Sequence, residues 1–331
     1  MRLLCICILL LLASSCDDAL FHKNEAAKCP SFDIVPSSPY EDPIWHPSGQ
    51  IIGFNHKPIK GIKYSYGYDC PHQATYIYEE DSTGFWLINA DGSNKRRVLP
   101  FTLFSPAWSP DGEWIAFMHE SQIFKMPFNG ADFDTTAIVQ LTFQGRNFFP
   151  SWSPDKKLIA YDNTECGSAT TPVPADRCGI LVMDVNGENV RYVGRGRKPY
   201  WGTSSKYVYS AGTRYDLSSG ESVTFFDPVS HHVSIYKMGF NPDATIIGFI
   251  GNYTNTETQF PKLFSMTQHG ESLQTISDTN IMDFSWAPDG RIVYLNYDYI
   301  RIDSINGTLW VMNKDGTNQQ QLTFNNFQIT Y

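Results

Sequence analysis

Charge is scarce in this chain of 331 residues: Asp, Glu, Lys and Arg make up 18% of it, and 25 Lys plus Arg face 34 Asp plus Glu, for a formal charge of −9. No basic cluster reaches the size that binding a phosphate backbone needs, so nucleic acid is not an expected partner. Beyond residue 12 no apolar run is long enough to cross a bilayer. Sustained helical periodicity is also missing, which argues against helical solenoids and α/β barrels. No two cysteines have the Cys-x-x-Cys spacing of a zinc ligand set, and no Gly-x-Ser-x-Gly elbow marks a serine hydrolase. Aromatic residues, at 15%, and hydrophobic residues, at 42%, are plentiful enough to bury a core that offsets chain entropy. The length suggests two domains as a soft prior, but closed β architectures of this size form one unit.

The first residues read as an address. Arg2 gives a positive start, Leu3 to Leu12 form a ten-residue apolar run, and small residues, Ala13-Ser14-Ser15, precede Cys16. A run of that length spans about 15 Å as helix, half a bilayer core, so residues 1–15 are expected to be a secretory signal peptide. Leu12-Ala13-Ser14-Ser15-Cys16 resembles the lipobox of bacterial lipoproteins. That resemblance implies cleavage before Cys16, acylation of Cys16, and a lipid-anchored linker over residues 16–42. Leucine normally stands three places before the cysteine, where this chain has Ala13, and an ordinary signal peptidase would accept Ala13 and Ser15 and cut the same bond. Each buried acyl CH₂ contributes about 0.8 kcal/mol, so several chains on one residue hold a protein to a membrane without a spanning segment. The implied location is the bacterial cell envelope, outer membrane first, on its periplasmic or surface side; Asp17 and Asp18 are the candidate sorting signals.

With Cys5 and Cys7 removed and Cys16 modified, four cysteines remain for an oxidising compartment. Of the three possible pairings, Cys166 with Cys178 closes a loop containing Pro and Thr, which leaves Cys29 with Cys70.

One pattern recurs six times: Trp45-His-Pro-Ser, Trp108-Ser-Pro-Asp, Trp152-Ser-Pro-Asp, Trp201-Gly-Thr-Ser, Phe240-Asn-Pro-Asp and Trp286-Ala-Pro-Asp. Each copy precedes a short β-type run, and Asp91-Gly92, Asn186-Gly187 and Asp315-Gly316 mark a further turn, which the dipeptides predict to be a type I′ hairpin with positive φ at both central residues. The Asn89–Asn94 stretch, which superficially has the residues of a calcium loop, is read as such a turn, since it lacks the terminal bidentate Glu. Repeats of 40 to 50 residues with four strands each are propeller blades. We therefore expect an all-β, six-bladed β-propeller of four-stranded antiparallel blades over residues 43–331, with blade four the most divergent. Phe32–Val35 and Phe327–Tyr331 are rival candidates for the strand that latches the ring.

Trp108-Ser-Pro-Asp-Gly112, with the downstream Met-Asp-x-Asn-Gly and Gln-Leu-Thr, resembles the repeat of TolB-like propeller proteins. The resemblance covers Pro43 to Phe324. It implies a cell-envelope protein-interaction module whose channel mouth receives a peptide or another envelope protein. Only 28 residues separate Cys16 from Trp45, the first repeat aromatic, too few for the additional N-terminal domain of TolB, so the specific Tol role is not expected.

In a four-stranded antiparallel blade the tight Pro-Asp-Gly and Asp-Gly turns share one end. The long segments at 55–84, 162–179 and 251–261 share the other, where binding residues on loops are expected. Three groups there are candidates. Arg146, Arg195, Arg197 and Lys198, on connections leading to the innermost strands, form a positive mouth for a carboxylate, phosphate or acidic peptide, or a solvated basic loop. Tyr64, Tyr66 and Tyr68 offer amphipathic contact to a peptide or sugar ring, or pack the loop beside Cys70. His56, His72, His231 and His232 are scattered, and no metal or other cofactor is expected. The leading expectation is a monomeric, non-catalytic scaffold that binds a protein or peptide; a glycan-binding surface lipoprotein is the alternative, and a propeller polysaccharide lyase a lesser one.

Overall fold

The computed structural model describes residues 38–67, 70–166, 178–255, 260–277, 279–297, 307–325 and 328–330, with backbone alone for 64–67, 70–75 and 328–330. Six four-stranded sheets follow one another along the chain, each with its strands in sequential order from the inside outward. Blade one is Tyr40–Trp45, Ile51–His56, Gly84–Asn89 and Arg96–Leu99. The innermost strands of blades two to six are Phe104–Trp108, Asn147–Trp152, Tyr200–Trp201, Lys237–Phe240 and Ile281–Trp286. Every in-blade pairing is antiparallel, and the divergent fourth copy still forms a full blade through Tyr207–Ser210, Thr213–Asp216 and Ser222–Thr224.

The repeated residues explain the repeated shape. In blade two the Ser109 hydroxyl donates to Asp111 Oδ1 at 2.5 Å and accepts from the Trp114 amide at 3.0 Å, so Ser and Asp together fix the turn between the first two strands. Blade three repeats this with Ser153, Asp155 and Leu158. The Asp-Gly turns differ from expectation. Gly92 has φ 86°, but Asp91 stays out of the left-handed region and its carboxylate accepts from the Ser93 amide at 2.9 Å. The Gly92 amide donates to the Asn89 carbonyl, so the turn is type I with a glycine bulge, a form that needs only one residue at positive φ.

The hydrophobic core is divided among the seams. Trp108, Ile115 and Met126 of blade two pack with Phe85, Leu87 and Leu99 of blade one, and each of the other five seams has its own cluster. The repeat aromatics belong to these seams. Trp152, Trp201 and Trp286 each donate an indole N–H to a carbonyl of the preceding blade's innermost strand, at Ala107, Ser151 and Gly239, over 3.0, 2.9 and 3.1 Å.

Among the described residues, ring closure uses no shared blade. Tyr40, Trp45 and Ile52 pack against Val293, Leu309 and Val311 of blade six. The Trp45 amide donates to Ser285 Oγ at 3.0 Å, and Ser38 Oγ donates to the Gly307 carbonyl at 2.8 Å. A hairpin, Ile59–Gly67 with Cys70–Tyr78, is inserted between the second and third strands of blade one, and the C-terminal Gln328–Thr330 pairs in parallel with its Gly61–Lys63. Of the two latch candidates, the C-terminal one thus ties to this insertion; Phe32–Val35 lies outside the described residues, as do Cys16 and Cys29.

Candidate functional site

In four of the six blades the chain enters the innermost strand through a residue in the left-handed region. Asp42, Ser105, Phe149 and Lys198, in blades one to four, have φ between 49° and 52°, and each precedes a proline. In blades one to three the pairing register shifts across this point. Non-glycine residues in the left-handed region cost about 1–2 kcal/mol each, and a residue before proline ordinarily favours extended backbone. Bulges of this kind re-aim side chains, and strain retained at matching points of four blades marks a place where side-chain direction matters.

The bulge residues surround a cavity of about 400 Å³ lined by the innermost strands of all six blades. Three places before the repeat aromatic, the blades contribute in order Asp42, Ser105, Phe149, Lys198, Lys237 and Asp283. One place earlier stand Glu41, Phe104, Phe148, Arg197, Tyr236 and Met282, of which Phe104, Tyr236 and Met282 are 42%, 44% and 40% exposed. The mouth therefore has a polar inner ring and a largely apolar outer one.

Charges in the inner ring are balanced but segregated. Lys237 Nζ is ion-paired to Asp283 Oδ1. Asp42 Oδ2 accepts from Asn55 Nδ2 at 3.0 Å. Burial pushes the Asp42 carboxyl up to about 7, with Asp283 and Glu41 adding to the shift and Lys237 and Asn55 opposing it. Lys198 Nζ lies 4.8 Å from the centre of the Phe149 ring, and burial, then repulsion from Lys237, lowers its affinity for a proton.

Of the four basic candidates, only Lys198 lines the cavity. Arg197 is on the outer ring, where its Nε donates to Asp162 Oδ2 at 2.6 Å; Asp162 is fully buried, which raises its pKa against the pull of Arg197. Arg195 and Arg146 are exposed and lie outside the cavity lining. Tyr64 and Tyr66 fall on the inserted hairpin, with side chains outside the described residues, and Tyr68 lies outside them altogether. Cys166 and Cys178 form a disulfide with Cα atoms 4.8 Å apart; Cys70 is described by backbone alone. Among the described residues no three His, Cys, Asp or Glu side chains are grouped to hold a metal ion, and no helix is long and apolar enough to cross a membrane.

Asp42, Lys237, Asp283 and the apolar outer ring were not singled out from sequence. Four of the six inner-ring positions share the signal Xaa-Pro-x-Trp, at Asp42, Ser105, Phe149 and Lys198. Aligning the copies on the aromatic brings the remaining two into the same column.

No family model matches the chain. Local similarity links it to TolB homologues of Chlamydia abortus and Chlamydia caviae, 32% and 31% identical over 87 residues, which is 25% of this chain and 20% of each relative. The match thus spans about a fifth of those relatives. Among solved structures, TolB from Acinetobacter baumannii aligns with a TM-score of 0.56 at 17% identity, over 87% of this chain and 65% of that one. An oligogalacturonate lyase from Vibrio parahaemolyticus aligns with a TM-score of 0.51 at 10% identity (88% and 80% of the chains), and tricorn protease with 0.53 at 15% (88% and 27%). These structural likenesses concern the fold, which hosts proteins of different activities. The chain is a six-bladed β-propeller with local sequence similarity to TolB homologues.

Proposed function

We propose that this protein is a non-catalytic recognition scaffold of the bacterial cell envelope, exported by its N-terminal signal, anchored through acylated Cys16, acting as a monomer and binding a peptide or protein segment at the channel mouth. The two-ring mouth carries this reading. Exposed Phe104, Tyr236 and Met282 supply desolvation energy around a central cavity whose charged groups supply orientation, the arrangement of a binding hot spot inside a polar frame. The similarity to TolB homologues supports an envelope protein partner. The glycan-binding alternative rests on Tyr64, Tyr66 and Tyr68, whose side chains lie outside the described residues.

A photo-cross-linking amino acid placed in cells at Phe104 or Tyr236 tests the site, with Lys314, on a turn at the opposite face, as the control. One discrete protein adduct from both rim positions and none from Lys314 is the expected result. Adducts indistinguishable between the rim and Lys314, or recovery of glycan alone, would overturn the proposal.

A further inference from the structure

The inner ring is one cation short on one side and one anion short on the other. Among the described residues Lys237 is the cation that neighbours both Asp42 and Asp283, and it is in contact with Asp283. Glu41, the other acid near Asp42, is matched by Lys57 at 3.2 Å. Among the described residues, Asp42 itself accepts only from the Asn55 amide, a neutral donor. On the blade opposite, Lys198 has its ammonium over the Phe149 ring; of the two acids whose charge it feels, Asp283 is ion-paired to Lys237 and Asp162 to Arg197. A carboxylate facing a cavity without a contacting counterion is a receptor for one, because a buried charge is unfavourable until paired.

We propose that Asp42 receives an alkylammonium group of the bound peptide, supplied by a lysine side chain or a free N-terminus. This inference rests on the channel mouth being the peptide site. An ammonium group there donates hydrogen bonds to the Asp42 carboxylate and supplies the missing charge beside Asp283, while the backbone and apolar side chains of the same peptide cover the outer ring. Across the ring, Lys198 is left to meet a carbonyl or carboxylate of the ligand, so a peptide crossing the mouth is oriented with its amine toward blade one.

The test uses the full chain and acetylated, amidated pentapeptides rich in Leu and Phe. Each is made with Lys, norleucine or Glu at one position, alongside a lysine-free set with free or acetylated N-termini. Binding is read by fluorescence anisotropy. The expected result is binding about tenfold tighter for Lys than for norleucine, or for the free than for the acetylated N-terminus, and loss of that preference in Asp42→Asn while the norleucine peptides still bind. Asparagine tolerates the left-handed backbone at this position, so the variant keeps the bulge. Which set shows the preference identifies the source of the amine. Equal binding of Lys, norleucine and Glu peptides, with no effect of freeing the N-terminus, overturns the assignment but leaves the channel mouth as a peptide site. So does a preference that survives Asp42→Asn. Absence of binding by every peptide overturns both.

Discussion

Asn55 and Leu103 hold each other through both of their polar groups: Asn55 Nδ2 donates to the Leu103 carbonyl at 2.6 Å, and the Leu103 amide donates to Asn55 Oδ1 at 2.8 Å. The same Asn55 amide donates to Asp42. One buried side chain of blade one thus fixes both the segment entering blade two and the carboxylate at the channel. Asn55→Ala leaves the Leu103 amide and carbonyl without partners in a buried place, and each such group costs about 1–3 kcal/mol. A loss of about 2–4 kcal/mol in urea unfolding is expected, and a change within 0.5 kcal/mol would show that the clamp contributes nothing net.

The Asp42 carboxyl is an acid whose folded-state pKa is raised, to about 7 from an ordinary 3.8, chiefly by burial. Between those values the unfolded chain releases the proton and the folded chain retains it, so this group destabilises the fold progressively as pH rises through that window and by a constant amount above it. Asp42→Asn removes the effect. Relative to wild type its melting temperature is expected to gain between pH 4 and 7, to hold that gain at pH 8, and to show little gain at pH 3. A difference independent of pH would refute an ionisation origin.

His56 works in the opposite direction. It is buried, stacked on Tyr40 at 4.3 Å between ring centres, and bonded through Nδ1 to the Pro39 carbonyl at 3.0 Å. Burial lowers its pKa to about 4; the Pro39 bond opposes this and Lys95 adds to it. As pH falls from about 6.5 to 4 the unfolded chain takes up a proton that the folded chain refuses, so stability is lost across that interval, by about 3 kcal/mol at most. Asparagine occupies the matching place in blades three and six, at Asn163 and Asn296. His56→Asn is therefore expected to fold, with lower stability at pH 7.5 for want of the stacking, and with a shallower fall between pH 6.5 and 4. An unchanged slope in denaturant midpoints would assign the acid sensitivity elsewhere.

The blades were legible because their information is local. Trp108-Ser-Pro-Asp-Gly112 and its copies carry aromatic, hydroxyl and carboxylate at the spacing one turn needs, and the divergent Trp201-Gly-Thr-Ser copy folds alike because Trp201 still packs in the seam with Val182 and Val208. The functional charges are not local. Arg195, Arg197 and Lys198 look like one patch because they are close in sequence, yet Arg197 turns to Asp162 and only Lys198 lines the cavity. Asp42 and Asp283 lie at opposite ends of the chain and become neighbours only when the ring closes. A consecutive run is visible in sequence, whereas a charge pattern set by circular order is not.

The seams make a closing test of what the repeat aromatic does. Trp108 and Trp152 occupy the same place in adjacent blades and are about equally buried, at 8% and 9% exposure. They differ in one bond: Trp152 donates to the Ala107 carbonyl, whereas Trp108 Nε1 is buried with no hydrogen-bond partner among the described residues. Phenylalanine, which stands here naturally as Phe240, removes a similar apolar area from both. In Trp152→Phe it also removes the indole bond to the Ala107 carbonyl, while in Trp108→Phe it deletes a donor that was already unsatisfied, a change that by itself favours the folded state. Trp152→Phe is thus expected to be the more destabilising by about 1–2 kcal/mol in urea unfolding at pH 7. Equal losses would mean that the seams are held by packing alone and that the indole bonds merely accompany it.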